Sequence, residues 1–321
     1  YVADHHNHAI RRVAPDGSVS TLAGDGLCGL ADGPAATAKL CSPVDIEVGP
    51  DGTVYFSDAG NHRIRAIVNG EVITIAGTTA GRAGGGALTE AQFKEPSGIK
   101  LLANGDLLVA DRGNHLIRRI DRAAGIVVDV AGSGRSGTGE GTRSSLELFG
   151  PNDVTIDDEG TLYVSESSHR IRKIPVSGTS VTLAGSTTGQ YAAPTDAAGT
   201  AARFSFPSQL ELDAADGALY VADSNNFRIR RVPLDPTQLT TSVVGTAQTT
   251  SGLKNGTCSV ARFSSLTGFA RLGSKWILAE ALGVLRQGVN TGLFSSTECQ
   301  ISDFSGGKVD DRAADGPALS A

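Results

Sequence analysis

One tetrapeptide recurs six times along this chain, and a repeat of nearly fixed period restricts the fold more tightly than any single motif. It reads Tyr1-Val2-Ala3-Asp4, Tyr55-Phe56-Ser57-Asp58, Leu108-Val109-Ala110-Asp111, Tyr163-Val164-Ser165-Glu166, Tyr220-Val221-Ala222-Asp223 and Ile277-Leu278-Ala279-Glu280, a spacing of about 53 to 57 residues. A second signature follows the first five copies: Asn7-His8-Ala9-Ile10-Arg11, Asn61-His62-Arg63-Ile64-Arg65, Asn114-His115-Leu116-Ile117-Arg118, Ser168-His169-Arg170-Ile171-Arg172 and Asn226-Phe227-Arg228-Ile229-Arg230. In the sixth unit it has decayed to Gly283-Val284-Leu285-Arg286.

Each period resolves into four short strands. A proline (Pro43, Pro96, Pro151, Pro207) opens the first, and residues such as Val44-Asp45-Ile46-Glu47-Val48 then alternate with the period of two expected of a half-buried strand. Asp51-Gly52, Asn104-Gly105, Glu159-Gly160 and Asp216-Gly217 supply the residues that tolerate positive φ in a hairpin turn. The tetrapeptide forms the second strand, the Ile-Arg segment the third, and an outer strand ending in Ala-Gly the fourth. Four antiparallel strands per unit make a propeller blade, so the chain is read as an all-β, six-bladed β-propeller in one domain over residues 1–321. The expected blades cover about 1–24, 43–77, 96–132, 151–185, 207–245 and 266–299, with blade 1 irregular because nothing local supplies its innermost strand.

The repeats resemble the NHL family, whose signature Asn114-His115-Leu116 spells literally. Propellers of this kind host hydrolases, lyases, receptors and RNA binders, so the resemblance implies a fold and leaves the activity to be argued from residues. Tripartite-motif members of the family bind RNA on a basic face. This chain has 28 Lys and Arg against 34 Asp and Glu, a formal charge of −6, which argues against phosphate-driven binding.

Repeated residues are read as structural. Arg11, Arg65, Arg118, Arg172, Arg230 and Arg286 form one column, and Asp4, Asp58, Asp111, Glu166, Asp223 and Glu280 another, the pattern of a buried ion pair repeated for folding rather than of a ligand ring. His8, His62, His115 and His169 come one per blade, too dispersed to ligate a single ion. Zinc-dependent amidating lyases of this fold use several histidines, yet His5 and His6 are adjacent on a turn and are expected to face solvent. No metal-ligating or catalytic set stands out.

The first strands line the central channel, and there the polar residues differ from blade to blade. Asp45, Glu47, Lys100, Asp153, Gln209 and Glu211 are the channel candidates for binding. Gluconolactonase-like and paraoxonase-like propellers hold Ca²⁺ at this place, so Ca²⁺ is the cofactor alternative to none. A matching Glu, Asn, Asn, Asp set is missing, and Lys100 opposes a cation.

Four cysteines fall on two stretches. Cys28 and Cys41 flank one connection between blades, and Cys258 lies in another; aligning 293–297 with the outer strand 18–22 sets Cys299 just beyond the outer strand of blade 6 and all four on one face. Of the three pairings of four cysteines, Cys28 with Cys41 and Cys258 with Cys299 is expected. With the sequon Asn255-Gly256-Thr257, an N-glycosylation acceptor, this points to an oxidising, extracytoplasmic home. Tyr1 opens in mid-repeat and the chain has no Met, so the parent protein is expected to continue beyond it, and any membrane anchor lies outside this segment. Asp315-Gly316-Pro317-Ala318 aligns with Asp32-Gly33-Pro34-Ala35, the lead-in to a first strand.

The function that fits is a non-catalytic binding or scaffold module, gripping a protein, peptide or glycan through Gly-rich inter-blade loops such as 78–94 and 133–148. The alternative is a channel-centred, metal-dependent hydrolase or lyase.

Overall fold

The computed structural model describes residues 1–84, 86–189, 195–245, 251–272, 275–281, 283–289 and 299–305. Among the described residues blade 1 has three strands, β1 (Val2–Asp4), β2 (Ala9–Val13) and β3 (Val19–Ala23). A two-residue strand β4 (Gly33–Pro34) leads into blade 2, made of β5 (Pro43–Val48), β6 (Val54–Asp58), β7 (Arg63–Val68) and β8 (Glu71–Ala76). Blade 3 is β9 (Pro96–Leu101), β10 (Leu107–Asp111), β11 (Leu116–Asp121) and β12 (Ile126–Ala131). Blade 4 is β13 (Pro151–Ile156), β14 (Leu162–Glu166), β15 (Arg170–Ile174) and β16 (Val181–Gly185). Blade 5 is β17 (Pro207–Asp213), β18 (Ala218–Asp223), β19 (Arg228–Pro233) and β20 (Thr241–Val244). In blade 6 a short β21 (Gly256–Thr257) precedes β22 (Leu266–Leu272), β23 (Lys275–Glu280), β24 (Leu285–Val289) and β25 (Gln300–Ser305).

Every neighbouring pair is antiparallel, and β4 and β21 add a fifth strand to the outer edge of their blades. The connection between blades thus runs down the outer strand of the next blade before turning inward. Apolar residues of adjacent blades meet in separate cores, five among the described residues: Tyr55, Ile64 and Ala66 of blade 2, for example, pack with Ile99, Val109 and Ile120 of blade 3 and Phe93 of the connection. A sheet buried on both faces, as a blade is, accounts for second strands such as Leu107–Asp111 being buried at every position.

The glycine closing the outer strand of each of blades 1 to 5 is required by its surroundings. Gly77 has φ +109°, and a Cβ there would stand 2.7 Å from the His62 carbonyl oxygen. Gly24, Gly132, Gly185 and Gly245 repeat this geometry against the residues at the His8, His115, His169 and Phe227 positions.

Blade 6 departs from the sequence reading. Its outer strand is Gln300–Ser305, beyond the expected end at 299, while 293–297 lies outside the described residues. Cys299 therefore precedes the outer strand instead of following it. Because Gln300 pairs with Val289, the last residue of β24, Cys299 lies at the hairpin between third and fourth strands. Cys41 precedes β5, at the opposite end of the blades, so the four cysteines occupy two faces and not one. The alignment of outer strands failed because β25 begins further along the chain from β24 than the fourth strand does from the third in the other blades.

Candidate functional site

Each signature assembles one buried polar cluster. In blade 2 Asp58 is fully buried; its Oδ1 accepts the Cys41 backbone N–H at 2.7 Å, and its Oδ2 accepts from Asn61 Nδ2 at 2.8 Å and Arg65 Nη1 at 2.7 Å. Blade 3 repeats it, with Asp111 receiving Lys94 N–H, Asn114 and Arg118. So does blade 5, with Asp223 receiving Ser205 N–H, Asn226 and Arg230. The second-strand carboxylate thereby ties the incoming connection to the turn and the third strand of its own blade. Burial raises the Asp111 carboxyl to about 6 against the pull of Asn114, the Lys94 N–H and Arg118, and it raises Asp58, Asp223 and Glu280 in the same direction.

Blade 4 reaches this end with different residues. Ser168 Oγ still donates to Glu166 at 3.3 Å, and the Arg170 guanidinium supplies the link to the connection, bonding Glu166 at 2.5 Å and the Thr138 carbonyl at 3.2 Å as Asn114 bonds Asp111 and the Gly81 carbonyl.

Arg65, Arg118, Arg172, Arg230 and Arg286 each meet a second carboxylate that the sequence reading missed. Arg65, Arg172 and Arg230 find it in the connection, at Asp32 (2.7 Å), Glu140 (2.7 Å) and Asp196 (3.0 Å). Arg118 and Arg286 find it on the outer strand, at Asp129 (3.0 Å) and Asp303 (3.2 Å). The two sources are exclusive. Where the connection supplies the acid, the outer-strand partner of the arginine is Thr74, Thr182 or Ser242, whose hydroxyl donates to that acid. Where the outer strand supplies it, the corresponding connection residue is Gly85 or Asn255. The arginines are fully buried while these second carboxylates stay 37% to 45% exposed, so each guanidinium bridges the interior to the rim. Beneath Arg118, Arg230 and Arg286 lie Phe93, Phe204 and Phe263, with ring centroids 4.8 to 5.1 Å from the guanidinium carbon. A signal was present: an acidic residue eight positions before the buried Leu or Phe of a connection, at Asp32, Glu140 and Asp196.

The signature histidines hold one blade to the next. Nδ1 of His8, His62, His115 and His169 accepts the backbone N–H of Ser42, Glu95, Gly150 and Phe206, at 3.0 to 3.2 Å. Each donor residue immediately precedes the proline that opens the next blade and has φ between +51° and +54°. An accepting Nδ1 requires the neutral ring, and burial lowers the pKa of His115 and His169, favouring that form. His5 and His6 are exposed on a turn, with His5 Nδ1 3.2 Å from the Pro43 carbonyl.

The channel candidates are brought together, but largely as links between blades. Asp45 Oδ2 accepts the Ile99 N–H at 2.8 Å, Asp153 Oδ2 the Leu210 N–H at 2.9 Å, and Gln209 Oε1 the Phe269 N–H at 2.6 Å. Between Asp45 and Gln209 in this row stands Gly98, where a Cβ would meet Asp153 Oδ1. Lys100 donates to Glu47 at 2.8 Å across two inner strands. Burial, reinforced by Glu47, raises Asp45 to about 7; burial and the Asp45 charge raise Asp153. Burial works to lower the Lys100 ammonium, yet Glu47, Asp153 and Asp45 together raise it. Glu211 is raised by burial, against the pull of Arg271 and Lys100. Among the described residues no group of three His, Cys, Asp or Glu has the geometry to hold a metal ion.

The structure joins Cys28 to Cys41 and Cys258 to Cys299. Asn255 is exposed, and its Oδ1 accepts from Arg286 Nη2 at 2.7 Å. Open clefts of about 370 Å³ and 450 Å³ lie at the rim, one lined by Asp32, Arg63 and Thr89 and the other by Arg82, Asp129 and Arg143.

Six antiparallel blades, each stitched by a second-strand carboxylate paired with a third-strand arginine, define a six-bladed β-propeller. The family model for the NHL repeat matches residues 93–120. The chain is an NHL-repeat protein. It is 32% identical to the Arabidopsis thaliana protein SUPPRESSOR OF QUENCHING 1, chloroplastic, over 73% of this chain and 24% of that one. With NHL repeat-containing protein 2 of Bos taurus it shares 29% identity over 80% of this chain and 40% of that one. The chain thus spans well under half the length of these curated relatives. A Bacteroides thetaiotaomicron protein of unknown function has a crystal structure that superposes with a TM-score of 0.65 at 18% identity, covering 95% of this chain and 68% of that one, a likeness of fold alone.

Proposed function

We propose that this propeller is a non-catalytic binding module of a larger extracytoplasmic protein, which grips a protein, peptide or glycan through the connections between its blades. One observation carries the reading: the recurring histidines, carboxylates and arginines are engaged by one another and by backbone groups, as His115 is by Gly150 and Asp111 by Lys94, Asn114 and Arg118. What the described surface offers instead is the open clefts between connections. The joined cysteines and the exposure of Asn255 support an oxidising compartment and a glycan at Asn255.

A channel-centred, cation-dependent enzyme is the competing reading, favoured by the acidic lining. Lys100 within that lining, and the engagement of Asp45 and Asp153 by backbone N–H groups, count against it. The test is a screen of the purified protein on glycan and peptide arrays, beside variants with 78–94 or 133–148 replaced by Gly-Ser sequence. Binding lost with a connection supports the proposal. Binding or turnover that survives both replacements, needs added Ca²⁺ and disappears in Glu211→Gln refutes it.

A further inference from the structure

The two open clefts at the rim occupy the same place in successive units, and the repeat is broken between them. The residue whose carbonyl accepts the N–H of the closing glycine is Ala35 for Gly24, Leu88 for Gly77 and Cys258 for Gly245, but Arg143 for Gly132. The residue just before the carbonyl that takes Nη2 of the column arginine is Leu30, Thr138 or Leu253 for Arg65, Arg172 and Arg286, but Arg82 for Arg118. Leu30 and Leu88 line the first cleft, and their counterparts Arg82 and Arg143 line the second. Two apolar positions have become two cations facing one space, and neither change serves the repeated fold.

Neither arginine has an acid at hydrogen-bond distance. Half-buried Arg143 donates Nε to the Pro175 carbonyl at 3.0 Å and Nη2 to the Gly160 carbonyl, which fixes its guanidinium against the hairpins of blade 4. Burial lowers its pKa and no carboxylate counters that. Arg82 is half exposed; its Nη2 donates to the Ser133 carbonyl at 3.0 Å, and it lies so close over Gly134 that a Cβ there would come 2.2 Å from its Cζ. The acid of this cleft, Asp129, is held by Arg118 at 3.0 Å and stands 4.0 Å from Arg82. The first cleft sets Arg63 against Asp32, whereas the second sets Arg82 and Arg143 against Asp129 and keeps an excess of positive charge.

We propose that this second cleft, of about 450 Å³, binds an acidic sugar whose carboxylate or sulfate is held by Arg82 and Arg143. The inference rests on the reading of the connections as the gripping surface and names the ligand class for this part of it. Hydroxyls of Thr142, Ser144 and Ser177 line the same cleft and match the hydroxyls of a sugar ring, while exposed Val176 offers an apolar edge to its C–H face. A peptide adding as a strand needs an open sheet edge. Here the connections already pair with the starts of the neighbouring outer strands, Ala87 with Ile126 and the Gly141 carbonyl with the Ser180 N–H.

Titration calorimetry of the purified protein with an oligogalacturonate, a sulfated oligosaccharide and a neutral oligosaccharide of equal length tests the site. An acidic sugar is expected to bind, more weakly as salt is added, and the neutral one to fail; the two acidic arms separate carboxylate from sulfate. Arg82→Leu and Arg143→Leu copy Leu30 and Leu88 of the first cleft, and each should weaken binding about tenfold by removing a charged hydrogen bond. Melting temperatures report whether each variant is folded, and Arg82→Leu, on the half-exposed side chain, decides the matter if Arg143→Leu is not. Failure of both acidic sugars to bind, unchanged binding by Arg82→Leu, or preference for polyglutamate over both sugars overturns the proposal. A ligand kept by Arg82→Leu/Arg143→Leu but lost when 78–94 is replaced overturns this site alone; one kept through both connection replacements overturns the reading beneath it as well.

Discussion

Replacing Arg118 with alanine tests whether the repeated ion pairs hold the fold. The guanidinium is fully buried; it contacts Asp111 at 3.3 Å, Asp129 at 3.0 Å, the Gln92 carbonyl at 2.6 Å and the Ala83 carbonyl at 3.1 Å, above the Phe93 ring. Its removal strands a buried carboxylate and leaves two carbonyls to find other donors. Breaking a buried pair in this way costs about 3–5 kcal/mol, and at about 2–4 °C per kcal/mol for a sizeable domain the melting point should fall on the order of 10 °C. The deficit also has a pH signature. Asp111 is raised to about 6 in the folded protein, above the unfolded carboxyl near 3.9, so it binds its proton more tightly when folded and its contribution to stability declines as pH rises through that interval. Without Arg118 the folded value moves higher still. The variant is then penalised most near pH 8 and recovers relative to wild type as the pH falls toward 5, and Asp111→Asn added to it should restore part of the loss at neutral pH. Thermal melts followed by circular dichroism over that range decide it. An unchanged melting point, or a deficit flat with pH, refutes the reasoning.

The histidine staples carry the opposite sign: His115 and His169 have folded values below their unfolded one near 6.5, so their contribution is fully present above it and is lost as the pH falls through the lowered folded values. His169→Phe, which copies Phe227 of blade 5, should reduce that acid sensitivity in melts from pH 7 to 5, and ¹⁵N shifts of the wild-type rings at pH 8 should show the proton on Nε2. Gly77→Ala should destabilise far more than Gly52→Ala, because only Gly77 has a backbone oxygen 2.7 Å from the added Cβ, a difference denaturant titration measures. Non-reducing peptide mapping should return Cys28 with Cys41 and Cys258 with Cys299; the first closes a loop of 13 residues, and its loss in Cys28→Ser/Cys41→Ser should cost about 3 kcal/mol in the chain-entropy model. Four free thiols in the native protein would remove the support for an oxidising compartment.

The architecture was legible in the sequence because a blade is a local object. Its strands are consecutive and joined by hairpins whose glycines and alternating residues announce themselves, so Asp51-Gly52 and the tetrapeptides marked the turns and second strands correctly. The pairing of the two repeated charge columns was likewise readable, since seven residues and one hairpin separate Asp58 from Arg65. Lost to the sequence reading was whatever is decided between blades or across long connections. Asp32 reaches Arg65 over 33 residues, Asp45 reaches Ile99 over 54 and His62 reaches Glu95 over 33. Only the connection acid left a trace, eight positions before a buried Leu or Phe; nothing local announced that Asp45 and Asp153 accept backbone N–H groups of neighbouring first strands, or that the repeated histidines accept from the next blade. Local periodicity determined how many blades form and where their strands run. Only the tertiary packing of blade against blade decided what the polar residues do, because a buried carboxylate or imidazole is satisfied by whichever donor the neighbouring blade brings within reach.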